Sequence, residues 1–500
     1  MKKSYKDLET ELSNAKQELI ATRQELVATR QELVVTRQEL VVTRQELFKT
    51  KDLLKLSFNQ IMQLQKEISD LKQKLNKNSK NSSKPPSTDQ KSNTQDRGQK
   101  KRESREGKNR PLFLKEEIDK IVECNCEKCP CCGSQNIEAL STNEILQQID
   151  LPEIKAIITE YILRRYQCSS CGKSFKSDLP KGIPNSVFGT KLMGLISNLT
   201  GLYHLAKREV IQLIKDLYGI DIGLGSISNI EERVANALES VYQKIHDFII
   251  NSNFTKHFDE TGWRNKGKKH YVWVATCTEA AIYKIDRNRN KIAFQKLIKN
   301  QDLTDKSFVS DRYSVYNNIS KNHQYCLAHL IREFKNFSQR DGPDKKIGEL
   351  LEKALKKACF VNTKYRKGKI ILANRNRQLG KIKRKVKSLF KDGYANGSDE
   401  LSGLCKRLLK SFDNLWVFTK ISDMEPTNNL AERDLRKIVI WRKKSYGTRS
   451  EKGKRFIERI SSISQTLRKQ GKNVLKFIQS TIKNFYSNKA PELINPEMNF

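Results

Sequence analysis

Leucine or isoleucine recurs every seventh residue at Leu12, Leu19, Leu26, Leu33, Leu40, Leu47, Leu54, Ile61, Ile68 and Leu75. The unit Thr22-Arg23-Gln24-Glu25-Leu26 repeats unchanged from Thr29, Thr36 and Thr43. A seven-residue apolar period keeps one seam on one side of a helix, so residues 1–75 are predicted to form a coiled coil. With the leucine series at a, Leu64 and Leu71 occupy d, but d is threonine within the repeated units, which weakens the seam. Apolar residues then vanish from 76–110, where Asn78 to Ser87 includes Pro85 and Pro86. Such a stretch cannot bury enough surface to fold alone, and it reads as a basic linker.

Helical periodicity returns over 186–245. Arg208 to Tyr218, a turn through Gly219 and Gly223, and Ser226 to Leu238 together have the form of a helix-turn-helix. Ser226 is the expected N-cap, with Ile227, Ile230 and Val234 facing inward. Glu231, Glu232 and Glu239 would face phosphates badly, which favours a packed helical pair over a DNA reader. From residue 250 the period changes to that of strands. Phe254 to Asp259, Lys269 to Cys277 and Ala281 to Asp286 are rich in β-branched and aromatic residues and predict an antiparallel meander. A helix over 290–300, a strand from Ser307 to Asp311, a short helix near Tyr313, a strand at Gln324 to Cys326 and a helix from Leu327 to Phe337 follow. The order βββαβαβα is that of a ribonuclease-H-like domain, expected over 250–485 with a helical insertion at 338–424. The chain is therefore read as mixed α/β. A terminal helical pair turns near Gly471.

Charge narrows the partners. A formal net charge of +38 and a pI near 9.7 favour a polyanion, nucleic acid first and a membrane surface second. No run of about 18 apolar residues occurs, so no membrane span is expected. The charged, heptad-patterned N-terminus is not a signal peptide. Of eleven cysteines, seven lie between Cys124 and Cys171, which suits a reducing cytoplasm and metal binding better than disulfides. Cys129-Pro130-Cys131-Cys132-Gly133 and Cys168-Ser169-Ser170-Cys171-Gly172 are paired C-x-x-C-G knuckles. Cys129, Cys132, Cys168 and Cys171 are the expected ligands of a structural Zn²⁺ in a ribbon-like domain over 111–180. Cys126 with Cys129 is an alternative register. The gap between the knuckles exceeds the commonest spacings.

Basic runs mark the expected DNA path. Lys364 to Lys391 carries twelve Lys/Arg and no acid, including Lys383, Arg384 and Lys385. Arg436 to Arg455 carries nine against one Glu, with Arg442, Lys443 and Lys444 beside Trp441 and Tyr446. Basic residues interleaved with aromatics suit a frayed or single-stranded DNA end.

Acidic residues supply candidate chemistry. Asp259 ends the first strand of the meander, and an aspartate there is costly to bury unless a cation meets it. In the expected topology the first and fourth strands run side by side, which brings Asp311 to Asp259. Pro426-Thr427-Asn428 starts a helix on which Asn429, Glu432, Arg433 and Arg436 share one face while Ala431, Leu435 and Ile438 point inward. Three carboxylates suit paired Mg²⁺ (or Mn²⁺) ions for in-line displacement at phosphorus, with Arg433 and Arg436 on phosphate oxygens.

These motifs resemble transposases of the insertion-sequence 66 family, which carry a DDE catalytic domain. The matching stretches are His257-Phe258-Asp259-Glu260-Thr261, Ser310-Asp311-Arg312-Tyr313, the run from Tyr325 to Phe334 and the run from Asn428 to Arg436. Asn81-Ser82-Ser83-Lys84-Pro85-Pro86-Ser87 and the cysteine knuckles match as well, so the likeness spans residues 54 to 485. The resemblance implies strand cleavage at the ends of a mobile element and attack of the freed 3′-hydroxyl on target DNA. It also implies Asp259, Asp311 and Glu432 as the metal-binding triad. The expected partners are double-stranded DNA, further copies of the chain through the coiled coil, and accessory proteins of the same element. The expected location is the bacterial cytoplasm, at the nucleoid. Cys326 and His329 match a C-x-x-H feature of such transposases, and two residues alone are too few for a zinc site. The long near-perfect heptad array departs from the family pattern. A nuclease that cuts without joining, and a zinc-containing DNA-binding regulator with an inactive catalytic fold, are the competing readings.

Overall fold

A computed structural model describes residues 5–76, 111–138, 140, 144–340 and 342–491. The chain divides into two units, Met1–Asp89 and Gln90–Phe500. The described part of the first is one helix, α1 (Tyr5–Asn76). Its leucines are exposed from Leu8 to Leu71, so the predicted apolar stripe lies open along a continuous helix. The d threonines turn back on their own backbone: Thr22, Thr36 and Thr43 donate Oγ1–H to the carbonyl four residues earlier at 2.6–2.8 Å. This satisfies each hydroxyl and leaves its methyl group for the seam. The linker expected over 76–110 lies, beyond Asn76, outside the described residues.

The first strands of the second unit, β1 (Arg165–Gln167) and β2 (Ser174–Lys176), form a small hairpin. Four helices follow: α2 (Thr190–Gly201), α3 (Lys207–Tyr218), α4 (Leu224–Ala237) and α5 (Glu239–Asn251). Ile227, Ile230 and Val234 are buried as the pattern required. The cap differs: Gly223, not Ser226, stands at the N-cap, and the Ser226 amide already bonds the Gly223 carbonyl inside the helix. Glu231 pairs with Lys207 at 2.6 Å and Glu232 with Lys452 at 2.7 Å, so these acids tie helices together.

The central sheet holds β3 (Lys256–Asn265), β4 (Lys268–Thr276), β5 (Ala281–Asp286), β6 (Phe308–Ser310) and β7 (His323–Tyr325) in the order β5-β4-β3-β6-β7. The first three strands are antiparallel; β6 and β7 run parallel to β3. The first strand continues to Asn265, six residues beyond the predicted end at Asp259, because Glu260 to Asn265 keep pairing with Trp273 to Lys268. Between β5 and β7 lie α6 (Lys291–Leu297), capped by the Asn290 side chain, and a 3₁₀ turn at Ser314–Tyr316.

Helices close the remaining surfaces. α7 (Leu327–Phe337), α8 (Pro343–Arg366), α9 (Leu372–Asn396) and α10 (Asp399–Lys410) build a second hydrophobic core around Phe334, Leu355, Phe390 and Leu404. α11 (Asn429–Ser445), α12 (Glu451–Lys469) and α13 (Val474–Tyr486) pack on the first core. An unpaired sheet edge exposes a row of amides. On the β5 edge these are met by α12: Thr466 Oγ1, Ser462 Oγ and Glu458 Oε1 accept from the amides of Ala281, Tyr283 and Ile285 at 3.1, 2.9 and 2.6 Å. The match is metric. Four residues of helix rise about 6 Å, close to the ~6.8 Å of two strand residues. At the other edge Asn414 donates to the His323 carbonyl, and Gln324 bonds the Phe418 amide and the Leu415 carbonyl. Among the described residues no helix is long and apolar enough to cross a membrane.

Candidate active site

Strand alternation divides the residues around Asp259 between the faces of the sheet. Phe258 and Glu260 share one face. Phe258 packs among Phe294, Phe308 and Tyr316, and Glu260 Oε2 accepts the Tyr316 hydroxyl at 2.5 Å. His257, Asp259 and Thr261 share the other, where α11 lies: His257 Nδ1 meets Asn428 Oδ1 at 3.1 Å and Arg442 donates to Thr261 Oγ1 at 3.3 Å. Asp259 therefore faces the helix that carries Glu432.

Asp311 arrives through pairing. β6 lies beside β3 in parallel, with His257 opposite Val309. Extending that register two residues sets Asp311 beside Asp259. Asp311 Oδ1 also accepts the Tyr313 amide at 2.9 Å, which turns the chain immediately after the strand. Burial raises the carboxyl of Asp259 well above the ordinary range, and the charges of Glu260, Asp311 and Glu432 raise it further. Burial raises Asp311 and Glu260 as well. The charge of Glu432 is thus felt at Asp259, although the three carboxylates are not drawn together as tightly as the ligand cluster described below. A buried group of carboxylates that disfavour their own ionisation fits the oxygen-donor chemistry of a hard divalent cation.

Glu432 is positioned by Asn428, which is wholly buried one turn earlier. Asn428 Nδ2 donates to the Phe258 carbonyl at 2.8 Å, Oδ1 meets His257, and its amide donates to Cys326 Sγ at 3.1 Å. These bonds moor the start of α11 to β3 and to the start of α7. Glu432 then receives Arg332 at 3.2 Å and lies 3.8 Å from His329 Nδ1. Cys326 Sγ, a His329 ring nitrogen and a Glu432 oxygen all fall within 4.8 Å of one another. Burial lowers the His329 imidazole to about 4 and pushes the Cys326 thiol up to about 11.

Several of these residues carried no signal strong enough to single them out. Glu260 adjoins Asp259 and is held by Arg289 at 2.8 and 2.5 Å, while Arg289 stacks over Tyr313 at 4.3 Å. Arg289 stands in no pattern that names its role; Asn428 is marked by sequence as part of a helix start, but only its burial among polar partners reveals what its side chain holds. The C-x-x-H spacing did mark Cys326 and His329, but not that Glu432 would complete the cluster.

The expected DNA contacts divide. Arg384, Lys385, Arg433, Arg436, Lys443 and Lys444 are exposed. Trp441 is not a base-stacking residue: it is buried and stacks on His204 at 4.7 Å. It falls three residues after Ile438 on the inward stripe of α11, so the packing face claims it. Arg442 is bound to Thr261 Oγ1 and the Gly262 carbonyl, which leaves it little reach toward phosphate. Lys383 pairs with Asp413 at 3.1 Å, and Arg375, in the same basic run, is buried against Asn362 and the Phe418 carbonyl.

Both cysteine knuckles fold alike. Gly133 and Gly172 donate to the carbonyls of Cys129 and Cys168 at 2.9 Å, with φ of +75° and +69° that suit glycine. Backbone amides of Cys132 and Cys131, and of Cys171 and Ser170, lower the thiols of Cys129 and Cys168. This is the preparation a thiolate site needs. The second knuckle turns within the β1–β2 hairpin. Among the described residues the two thiol pairs are not gathered into one cluster; Cys124, Cys126 and Cys131 are exposed.

Comparison with known families adds three matches. A model described as the zinc-finger binding domain of transposase IS66 matches residues 127–172. A family of unknown function (DUF6444) matches residues 11–111. The model of the transposase IS66 family matches residues 186–455, more than half of the chain. No curated protein matches the chain.

Proposed function

The chain belongs to the IS66 family of transposases, and from that membership we propose a DDE-type DNA transposase that cuts DNA at the ends of its element and joins the freed 3′-hydroxyl to target DNA. Residues 250–485 are read as its ribonuclease-H-like domain, supported by the sheet order β5-β4-β3-β6-β7 with two parallel strands beyond β3. The single observation that supports the chemistry is the parallel pairing of β6 with β3, whose register brings Asp311 toward the buried Asp259. Glu432, on the helix laid over the Asp259 face of the sheet, is read as the third acid.

Asp259, Asp311 and Glu432 would hold Mg²⁺ or Mn²⁺. When bound, such ions activate the attacking oxygen and stabilise the leaving oxygen of a phosphoryl displacement. The protein's own contribution is placement. Asn428 fixes the turn that presents Glu432, and Glu260 anchors Arg289 beside the acids without competing for the ion. Exposed Arg433 and Arg436, one and four residues past Glu432, sit where phosphates flanking the scissile bond can be held. Arg384 and Lys385 on α9 extend the basic surface over duplex DNA. The zinc-finger match supports structural zinc, with Cys129, Cys132, Cys168 and Cys171 as its ligands. α1 serves as the oligomerisation helix, pairing its leucine stripe with another copy, and the protein works in the cytoplasm on nucleoid DNA.

The test is Asp259→Asn. Strand cleavage of element-end DNA in Mg²⁺ should be lost while binding to the same DNA persists. Cleavage at the wild-type rate would remove Asp259 from the reaction. Supplying pre-cut ends then separates a transposase, which joins them to target, from a nuclease, which does not.

A further inference from the structure

Glu432 faces two ways. Its charge acts on Asp259, while its carboxylate meets residues of α7. There Cys326 occupies the N-cap, and its sulfur receives the Asn428 amide at 3.1 Å. His329, three residues on, lies over the same first turn. Its Nδ1 is buried and has no hydrogen-bond partner, yet stands 3.8 Å from Glu432 Oε1. A buried ring nitrogen without a partner is costly and calls for an explanation. Arg332 meets the same Oε1 at 3.2 Å, so a guanidinium now supplies the positive charge at this carboxylate.

We propose that Cys326 Sγ, His329 Nδ1 and Glu432 Oε1 form a binding site for a divalent transition-metal ion of the zinc class, separate from the cysteine knuckles. The donor set is the argument. One sulfur, one imidazole nitrogen and one carboxylate oxygen are the ligands of a borderline-soft ion, whereas Mg²⁺ takes oxygen almost exclusively. The geometry agrees. Around a tetrahedral Zn²⁺ neighbouring donors stand about 3.4–3.6 Å apart, and the three atoms here lie within 4.8 Å, so modest side-chain rotation closes the site. Three protein ligands leave a fourth position for water or a substrate oxygen. Occupancy would displace Arg332 from Oε1 and draw that oxygen away from Asp259. Zinc would therefore slow Mg²⁺-dependent cleavage, a consequence that rests on the catalytic reading above; the binding itself does not.

The experiment uses the full chain with Cys129, Cys132, Cys168 and Cys171 all replaced by serine, so that the knuckles do not mask the result. The protein is equilibrated with Co²⁺ as a spectroscopic probe of the zinc class, and bound metal is measured after dialysis. One equivalent with a thiolate-to-cobalt absorption band is expected. Adding Cys326→Ser should abolish both, and adding His329→Ala should abolish the equivalent. His329 and Glu432 are half-buried, so His329→Ala and Glu432→Gln keep the site testable should Cys326→Ser disturb folding, as judged by circular dichroism. Uptake unchanged by these substitutions in folded protein, or no uptake in the parent, overturns the proposal. Asp259→Asn in the same background separates the two readings. It should keep the cobalt equivalent, so loss of cleavage without cobalt binding sinks the metal site alone, and cobalt binding with cleavage intact sinks the catalytic assignment alone.

Discussion

Replacing Asp259 with asparagine should make the protein more stable than wild type without magnesium and less stable than wild type with it. Asp259 is surrounded by Glu260, Asp311 and Glu432, and burial together with their charges holds its carboxyl well above the usual range. Such a group binds its proton more tightly folded than unfolded. The folded state therefore loses stability as pH rises from the unfolded carboxylate range, about 4, through the raised folded values, and it regains that stability on acidification. At neutral pH the magnesium-free site costs stability. Asparagine keeps the shape and the Oδ1 that accepts the Glu260 amide at 2.9 Å, but removes the charge. Relief of one buried, repelled carboxylate should stabilise by about 1–2 kcal/mol, which raises Tm by about 1–2 °C for a unit as long as Gln90–Phe500. Magnesium acts the other way, because a ligand at a hundred times its Kd stabilises by about 2.7 kcal/mol, and only the wild-type site is expected to hold it. Thermal melts at pH 6 and pH 8, with and without Mg²⁺ and without chelator so that zinc is retained, read both effects. The reasoning fails if the variant melts lower than wild type in magnesium-free buffer, if its advantage does not shrink toward pH 6, or if Mg²⁺ stabilises both proteins equally.

Other expectations follow from single side chains. Asn428→Ala removes two buried hydrogen bonds to β3 and should cost about 2–4 kcal/mol, read as a lower denaturant midpoint, with cleavage falling as Glu432 loses its mooring; an unchanged midpoint would show that Asn428 does not hold α11. Trp441→Ala should destabilise by about 3–5 kcal/mol, as for a core aromatic, whereas a normal melt with weakened DNA binding would return it to the DNA path. Arg384→Gln with Lys385→Gln should weaken binding to all DNA sequences alike and flatten the salt dependence by about 0.9 for each phosphate no longer neutralised; an unaltered slope takes α9 out of the interface. Removing residues 1–76 should lower the oligomeric state by light scattering while leaving the melt of the remaining unit in place, and an unchanged mass would rule out the leucine stripe as the oligomer interface.

Local period alone determined much of this protein. A repeat of seven wrote the long helix, a repeat of two wrote the strands through β5, and an apolar stripe at helical spacing named Ala431, Leu435 and Ile438 as the buried face of α11. The paired C-x-x-C-G knuckles needed only short-range turn chemistry. What period cannot encode is which distant side chain stands opposite. Trp441 lies on the buried stripe of α11, and although its neighbours in sequence are basic, its ring is covered by His204. The roles of Glu260 and Arg289 exist only because β3 and the turn after β5 meet in space. Glu432 was legible as the acid of its helix, but its company with Cys326 and His329 was decided by Asn428 joining the starts of α7 and α11, whose residues lie about a hundred positions apart in the chain. Hydrophobic pattern sets how each segment presents itself to the core; contacts between segments depend on packing and long-range polar bonds, which only the assembled structure supplies.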